Sequence, residues 1–287
     1  MLPDVVESNR GGSVDEVNRP TWSRVAAEYA IEGWSDPGEL GAFTFVADRV
    51  RGLPILDLGV GGGRTVGLLR LLSADYLGID YTPELVELCR SRHPDVEIEA
   101  GDARELGGLS AGSRGMVVFS NNGIDAVDHG GRQAVLDGVH RVLQPGGTFL
   151  FSTLNKDHPL FGCHPGTAPD IAWQPGSLLP APPAPPPATK AADGDVAVDD
   201  GAWLRATRNW RRLRSELRDE GDWGQAPFAA HEFGLVAHFI TLPGAVDELD
   251  RHGFDVAAVF PCDSVRPQGV DQPVESMYMH LVAHRRS

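Results

Sequence analysis

The sequence predicts an α/β fold in which helices cover a parallel sheet and one irregular insertion interrupts the alternation. Between residues 40 and 154, short apolar runs alternate with longer amphipathic ones, which is the pattern of successive βα units. Between residues 155 and 232 the composition changes, and β-rich runs return after it. A chain of 287 residues with a hydrophobic fraction of 41% is long enough to bury one large core.

The first half of the chain contains candidate strands and helices in strict alternation. The predicted strands are Leu53–Leu58, Tyr76–Ile79, Val96–Ala100, Gly115–Ser120 and Thr148–Thr153. The predicted helices are Arg64–Leu72, Pro83–Arg92 and Arg132–Leu143. Thr82 supplies an N-cap and Pro83 a first-turn proline for the second helix, and the proline and glycines of residues 144–147 end the third.

The insertion spans residues 155–232 and contains a predicted flexible loop at about 175–200. The proline-rich run at residues 180–187 excludes both a helix interior and a central strand. Beyond it, apolar residues recur at near-helical spacing among six arginines between residues 205 and 218. Two interpretations of these arginines stay open, a solvated basic helix face and a clamp for an anionic substrate.

The C-terminal part, residues 233–287, is predicted to complete the same sheet. Phe233–Thr241 is apolar, and Pro243–His252 has the spacing of an amphipathic helix. Phe254–Phe260 and Met277–His284 are β-rich. The order is therefore a βα half over residues 36–154, an insertion, and a return to the sheet.

The charge and the cysteines limit the cellular setting and the partners. Forty acidic against 25 basic side chains give a formal net charge of −15, which disfavours nucleic acid and anionic membrane surfaces as partners. Cys89, Cys163 and Cys262 are widely spaced and odd in number, which suits a reducing compartment better than a disulfide framework. With no apolar leader and no run of about 18 apolar residues, a soluble cytoplasmic protein is expected.

A glycine-rich turn follows the first predicted strand and opens the next helix. Its sequence, from Asp57 to Arg64, is Asp-Leu-Gly-Val-Gly-Gly-Gly-Arg. Glycines there let a ligand approach the backbone, and the helix N-terminus offers N–H groups. A dinucleotide fingerprint requires a third glycine where Arg64 stands, and a Walker A loop requires Gly-Lys-Ser/Thr. Asp57, two residues before the first glycine, suits an ammonium group, which points to a nucleoside that bears an amino acid.

Two further acids end the second and third predicted strands. Asp80 lies about 20 residues past the glycine turn, where a carboxylate accepts hydrogen bonds from ribose hydroxyls, and Tyr81 suits the adenine face. Asp102 could accept the adenine amino group. Each acid alone also fits a turn or helix cap, but ligands of open α/β sheets bind where successive strands end. Three acids in these positions predict one ligand crevice.

These segments resemble the class I S-adenosylmethionine-dependent methyltransferases. Residues 55–65 are similar to the glycine-rich cofactor motif of that family, residues 77–81 to its ribose-binding strand end and residues 100–104 to its adenine-binding turn. Residues 116–125 and 141–152 are similar to its fourth and fifth strands. The resemblance implies a Rossmann-like seven-stranded sheet in the order 3-2-1-4-5-7-6, with the last strand antiparallel.

The resemblance also implies the cofactor, S-adenosyl-L-methionine, its product S-adenosyl-L-homocysteine, and a set of site residues. The implied cofactor residues are Asp57, Gly59, Gly61, Gly63, Asp80, Tyr81, Asp102, Ala103, Ser120 and Asn121. Residues 1–35 look like a helical lid, which is expected to contact substrate through Tyr29 and Trp34, with Asn122 facing them from the sheet. An ordinary amphipathic helix packed on the sheet is the alternative for this segment.

The predicted function is methyl transfer to an O or N nucleophile of a small molecule, such as a specialised metabolite. His231 and His238 are candidate bases for proton removal. No metal site is expected, because Cys163, His164 and His158 lack a second ligand pair. Two alternatives remain: a methyltransferase fold that binds the cofactor without methylating, and an NAD-dependent oxidoreductase, which Arg64 disfavours. The sequence does not specify the acceptor or the oligomeric state.

Overall fold

The computed structural model describes residues 14–26, 35–168 and 200–287. These ranges contain ten strands, which are β1 Ile55–Leu58, β2 Tyr76–Asp80, β3 Glu97–Ala100, β4 Arg114–Phe119, β5 Leu143–Leu154, β6 Arg218–Asp219, β7 Trp223–Phe228, β8 Leu235–Ile240, β9 Phe254–Pro261 and β10 Tyr278–Arg285. The seven-stranded sheet has the order β3-β2-β1-β4-β5-β10-β9. Strands β1 to β5 pair in parallel, and β10 is antiparallel to both neighbours. This confirms the predicted α/β class and strand order.

The described ranges contain seven α-helices. They are α1 Val14–Val25, α2 Pro37–Val50, α3 Val66–Leu72, α4 Pro83–Arg92, α5 His129–Val142, α6 Asp200–Leu213 and α7 Leu242–Arg251. Of these, α2, α3, α5 and α7 pack on the two faces of this sheet. The side chains of Asp36, Asp128 and Thr241 cap α2, α5 and α7, whereas Thr82 occupies the N-cap position of α4 without a capping hydrogen bond. Capping satisfies backbone N–H groups that a helix leaves unpaired at its start.

Each face of the sheet has its own apolar core. Leu56 and Leu58 pack in one cluster with residues of α5 and α7, and Ile55 packs in the other with residues of α2 and α3. Successive side chains of a strand point to opposite faces, so the short, fully buried strand β1 contributes to both. The carboxyl ends of β1, β2 and β4 are thereby fixed at one edge of the sheet.

The insertion and the run after it build a second, three-stranded sheet in the order β6-β7-β8. The apolar run Phe233–Thr241 therefore contributes β8 to this small sheet, and β9 and β10 complete the large one. A bridge between Ile240 and Asn155 joins the end of β8 to the end of β5. The small sheet thus stands at the same edge as the ends of the parallel strands. Most of the predicted flexible loop, up to residue 199, lies outside the described residues.

Candidate functional site

The glycine turn after β1 requires glycine at three positions. Gly59, Gly61 and Gly63 have φ of 61°, 56° and 88°, in the left-handed region that other residues disfavour. A Cβ on Gly59 would lie 2.7 Å from the ring of Phe119, and one on Gly63 would lie 2.6 Å from the ring of His93. The turn is therefore tight against its neighbours, while Gly59 itself is exposed.

Asp57 lies buried beneath this turn with one carboxylate oxygen in use. Its Oδ2 accepts hydrogen bonds from the Thr65 hydroxyl at 2.7 Å and the Tyr76 hydroxyl at 2.8 Å. Its Oδ1 is also buried and makes no hydrogen bond within the described residues. Burial raises the pKa of Asp57 to about 6, against the opposing effect of the two hydroxyl donors. A buried acceptor of this kind suits a cationic hydrogen-bond donor.

Asp80 ties the end of β2 to the glycine turn. Its Oδ2 accepts the Gly61 N–H at 2.9 Å and its Oδ1 accepts the Thr82 N–H at 2.8 Å. Each oxygen keeps a second lone pair for a hydroxyl donor. Burial raises the pKa of Asp80. The neighbouring Tyr81 ring is half-buried and lies 5.2 Å from the guanidinium of Arg19 on α1.

Asp102 lies just after the end of β3, and both of its carboxylate oxygens contact Arg104. Arg104 donates its backbone N–H and its Nε–H to Oδ1, each at 2.9 Å, and its terminal nitrogen lies 2.5 Å from Oδ2. Although partial burial opposes the shift, these hydrogen bonds and the charge of Arg104 lower the pKa of Asp102. Asp102 and Ala103 are half-buried at the crevice. A ligand amino group would share Asp102 with Arg104.

The loop after β4 brings unpaired polar atoms to the same edge. Asn121 and Asn122 have φ of 50° and 59°, and the Asn122 N–H donates to the Ser152 hydroxyl at 2.7 Å. The side-chain oxygens of both asparagines and the amide nitrogen of Asn122 are buried without a hydrogen bond inside the described ranges. Buried polar groups are rarely left unpaired, so this loop has the character of a ligand-binding surface.

A buried ion pair that the sequence did not predict braces this edge. Arg64 contacts both carboxylate oxygens of Glu39 on α2, at 2.5 and 2.8 Å, and donates to the Ser120 hydroxyl at 2.6 Å. The Ser120 hydroxyl also contacts Glu39. Although complete burial opposes it, Arg64 lowers the pKa of Glu39 to about 2. Arg64 stands where a dinucleotide fingerprint has its third glycine. Its contacts with Glu39 connect α2 to the glycine turn.

The two candidate histidines occupy different environments. His238 on β8 is 0% exposed, and its Nε2 lies 3.2 Å from Nδ1 of His129. Burial holds the pKa of His238 well below its usual range. His231 is 8% exposed and packs edge-on against Trp22 of α1, with ring centroids 5.6 Å apart. Both histidines are therefore buried, and His231 is the slightly more exposed of the two.

Helix α1 lies between the cofactor side of the crevice and the small sheet. Ser23 donates to Glu84 of α4 at 3.2 Å. On another face, the buried Asn18 donates to the carbonyls of Ala126 and Val236 and accepts the Val236 N–H. The predicted substrate residues Tyr29 and Trp34 lie outside the described residues. Among those described, no cluster of His, Cys, Asp and Glu suits a metal ion, and no helix has both the length and the apolar composition of a membrane span.

Comparison with known proteins shows where this architecture occurs. Residues 55–147 match the family described as a methyltransferase domain. A probable S-adenosylmethionine-dependent methyltransferase of Mycolicibacterium smegmatis is 34% identical over 112 residues, which cover 39% of this chain and 42% of that protein. A ubiquinone biosynthesis O-methyltransferase of Azorhizobium caulinodans is 33% identical over 113 residues, which cover 37% of this chain and 42% of that protein. The chain thus spans about two fifths of the length of these relatives.

Solved structures show the same fold over nearly the whole chain. The 1,6-didemethyltoxoflavin-N1-methyltransferase of Burkholderia thailandensis, solved with 1,6-didemethyltoxoflavin and S-adenosylhomocysteine, has a TM-score of 0.56 at 14% identity, covering 100% of this chain and 99% of that one. The CcbJ methyltransferase of Streptomyces caelestis has a TM-score of 0.54 at 15% identity, and the match covers 93% of this chain and 96% of that one. At such low identity the likeness shows the fold alone.

Proposed function

We propose that this chain is a class I S-adenosylmethionine-dependent methyltransferase, which the match of residues 55–147 to a methyltransferase domain supports, and that it transfers a methyl group to an O or N nucleophile of a small molecule. The observation that carries the proposal is the set of buried, unpaired polar atoms at the carboxyl edge of β1 and β4. Asp57 Oδ1 lies beneath the glycine turn, and the side chains of Asn121 and Asn122 follow β4. Atoms of this kind call for a polar ligand.

The residues of the turn and the strand ends suit the parts of S-adenosylmethionine. Asp57 would hold the ammonium group, Gly59, Gly61 and Gly63 would admit the methionyl chain to the backbone, and Asp80 would accept the ribose hydroxyls. Tyr81, Asp102, Ala103, Ser120 and Asn121 would line the adenine and sulfonium ends. The bound cofactor supplies an activated methyl group whose transfer is an in-line displacement.

The chain's own contribution is orientation, exclusion of water and control of a proton. The rigid edge formed by the Glu39–Arg64 pair and the glycine turn fixes the donor side, which favours transfer by proximity. The unpaired amide of Asn122 offers both a donor and an acceptor to the second substrate. Helix α1, held by Asn18 on one side and Ser23 on the other, excludes water from the crevice.

A methyl-transfer assay tests the proposal. The chain would be incubated with S-adenosylmethionine carrying a deuterated methyl group and a panel of phenols, catechols, carboxylic acids and amines, and the products would be read by mass spectrometry. The proposal predicts one labelled methyl group on an oxygen or nitrogen of at least one panel member. Binding of S-adenosylhomocysteine without any labelled product across the panel would favour a cofactor-binding protein instead.

A further inference from the structure

Helix α6 and the turn after it carry a block of positive charge. Residues 201–215 contain five arginines and neither aspartate nor glutamate. The chain as a whole has a formal net charge of −15, so this block is opposite in sign to its general composition. On many helix surfaces, acids three or four residues from a base form local ion pairs, but residues 201–215 offer none. The arginines of this block therefore pair with acids from elsewhere or stay exposed to solvent.

Three of these arginines share one face of α6. Arg208 is three residues from Arg211 and four from Arg212, so all three lie on the same side of the helix. Each is exposed, and none has a carboxylate partner within the described residues. Leu204, four residues before Arg208, is 59% exposed on the same side. From Leu204 to Arg212, this outer face of α6 is about 12 Å long, since a helix rises about 1.5 Å per residue.

The opposite side of α6 is fixed to the small sheet. Ala206 is fully buried in the apolar cluster of that sheet, and Trp210 packs against the same cluster. Arg205 donates to both carboxylate oxygens of Glu232, each at 2.8 Å, and Asn209 donates to the Glu232 carbonyl at 3.0 Å. The helix is thus held by apolar packing and by hydrogen bonds, and its outer face is left exposed.

We propose that the outer face of α6 is a docking surface for an acidic protein segment, whose carboxylates pair with Arg208, Arg211 and Arg212. Arginine is enriched in protein interfaces, and complementary charge steers and orients association. The exposed Leu204 adds apolar contact area at one end of the same face. Acids three and four residues apart on a partner helix would match the spacing of the three arginines. The inference goes beyond the proposed function and does not depend on it.

Other anionic partners fit this face less well. A nucleic acid duplex carries about one charge per 1.7 Å, and it would extend past the outer face over a chain that is negative in total. A short acidic segment can end where the face ends, and salt screens charges more than about 10 Å away. A membrane-bound helix inserts its apolar side among lipids, whereas that side of α6 is buried. Small anions prefer concave sites, and a helix surface is convex.

Fluorescence anisotropy of the full chain with a labelled acidic peptide tests the proposal. The probe is a peptide of repeated Glu-Ala-Ala-Glu units, about 16 residues long, whose glutamates stand three and four residues apart on one helix face. Its counterpart has glutamine in place of every glutamate. The wild-type chain should bind the glutamate peptide and not the glutamine peptide. The outer-face variant, which combines Arg208→Gln, Arg211→Gln and Arg212→Gln, should bind it about tenfold more weakly or worse.

A matched control separates this face from net charge. The control variant removes three exposed arginines elsewhere, Arg51→Gln, Arg251→Gln and Arg266→Gln, and so has the same net charge as the outer-face variant. It should bind the glutamate peptide as tightly as the wild type does. Circular dichroism should show both variants folded, because all six side chains are exposed. Failure of the wild type to bind the glutamate peptide, or the same affinity in both variants, overturns the proposal.

The same titration with other anions tests the chemistry of the partner. The probes are a short DNA duplex, vesicles of phosphatidylserine and phosphatidylcholine, and tripolyphosphate as a small anion. Each should bind the wild-type chain more weakly than the glutamate peptide does. If one of them binds more tightly than the peptide and loses affinity in the outer-face variant, the face belongs to a nucleic acid, a membrane or a small anion, and the acidic protein segment is refuted as its occupant.

Discussion

The carboxylate of Asp80 accepts a hydrogen bond from the backbone N–H of Gly61 at 2.9 Å, so the end of β2 directly supports the glycine turn that follows β1. The same carboxylate accepts the Thr82 N–H at 2.8 Å. One side chain therefore shapes the turn and offers lone pairs at the crevice. Because Asp80 has both roles, its substitution is a sensitive test of the site.

Replacing Asp80 with alanine should weaken the binding of S-adenosylhomocysteine by about 1–3 kcal/mol, the scale of leaving a buried polar partner unpaired. Isothermal titration calorimetry measures the change. Asp95→Ala, at an exposed position, is the matched control and should leave the affinity unchanged. Equal affinity in the Asp80→Ala variant and the wild type would remove Asp80 from the cofactor site.

Binding of S-adenosylhomocysteine should depend on pH through Asp57. Burial raises the pKa of this carboxyl to about 6, and only its ionised form attracts the ammonium group of the ligand, which stays protonated across this range. Affinity should therefore rise with pH through 6 and level off above 7, with a loss of about tenfold for each pH unit well below 6. In Asp57→Asn the affinity should be lower and nearly independent of pH between 5 and 8. A wild-type profile that is flat over this range would contradict the assignment.

The Glu39–Arg64 pair should contribute to stability as well as to the site. Glu39→Gln leaves the guanidinium without its charged partner and should lower the free energy of unfolding by about 3 kcal/mol, at the low end for a broken buried pair because the Arg64 side chain is 13% exposed. Urea unfolding measures it, and Glu87→Gln, from an exposed pair on α4, should have little effect.

The same pair predicts an acid-dependent loss of stability. Because the pKa of Glu39 is about 2 in the folded chain against an ordinary value of 4.5, its contribution is fully present above pH 4.5 and is lost as the pH falls toward 2. Unfolding curves of the wild type and Glu39→Gln should therefore converge as the pH falls through this window. A difference in unfolding free energy that stays constant down to pH 2 would show that the charge of Glu39 is not responsible.

Asn18 should couple α1 to the small sheet. Asn18→Ala leaves the N–H and carbonyl of Val236 without their partner, which should cost about 1–3 kcal/mol and speed hydrogen exchange in α1. Ser23→Ala, which removes one weak hydrogen bond on the other face of the helix, is the control. Exchange rates in α1 that match those of the wild type would show that packing alone holds the helix.

The sequence predicted the strand ends and the acids on them because both signals are local. Asp57, Asp80 and Asp102 lie in or just after short predicted strands, and the parallel topology brings the ends of such strands together. Helix α2 was not predicted, and with it Glu39, whose partners Arg64 and Ser120 are 25 and 81 residues away. A pair of this kind leaves no pattern in the neighbouring residues.

The small sheet and its strained turn were missed for related reasons. Strand β7 contains Gly224 and Pro227, which are poor strand formers, and it is recognisable only through its pairing with β8. The turn at His231–Phe233 has positive φ but contains no glycine from which this conformation could be predicted. Glu232 in this turn is hydrogen-bonded by Arg205 and Asn209, which lie on α6 more than twenty residues earlier.

The most direct test of the account is a calorimetric titration of the wild-type chain with S-adenosylhomocysteine and, separately, with NAD. The account predicts saturable binding of S-adenosylhomocysteine at one site per chain and no heat of binding with NAD, because Asp57 suits an ammonium group and Arg64 stands where a dinucleotide fingerprint needs glycine. Binding of NAD, or the absence of S-adenosylhomocysteine binding by a folded chain, would contradict it.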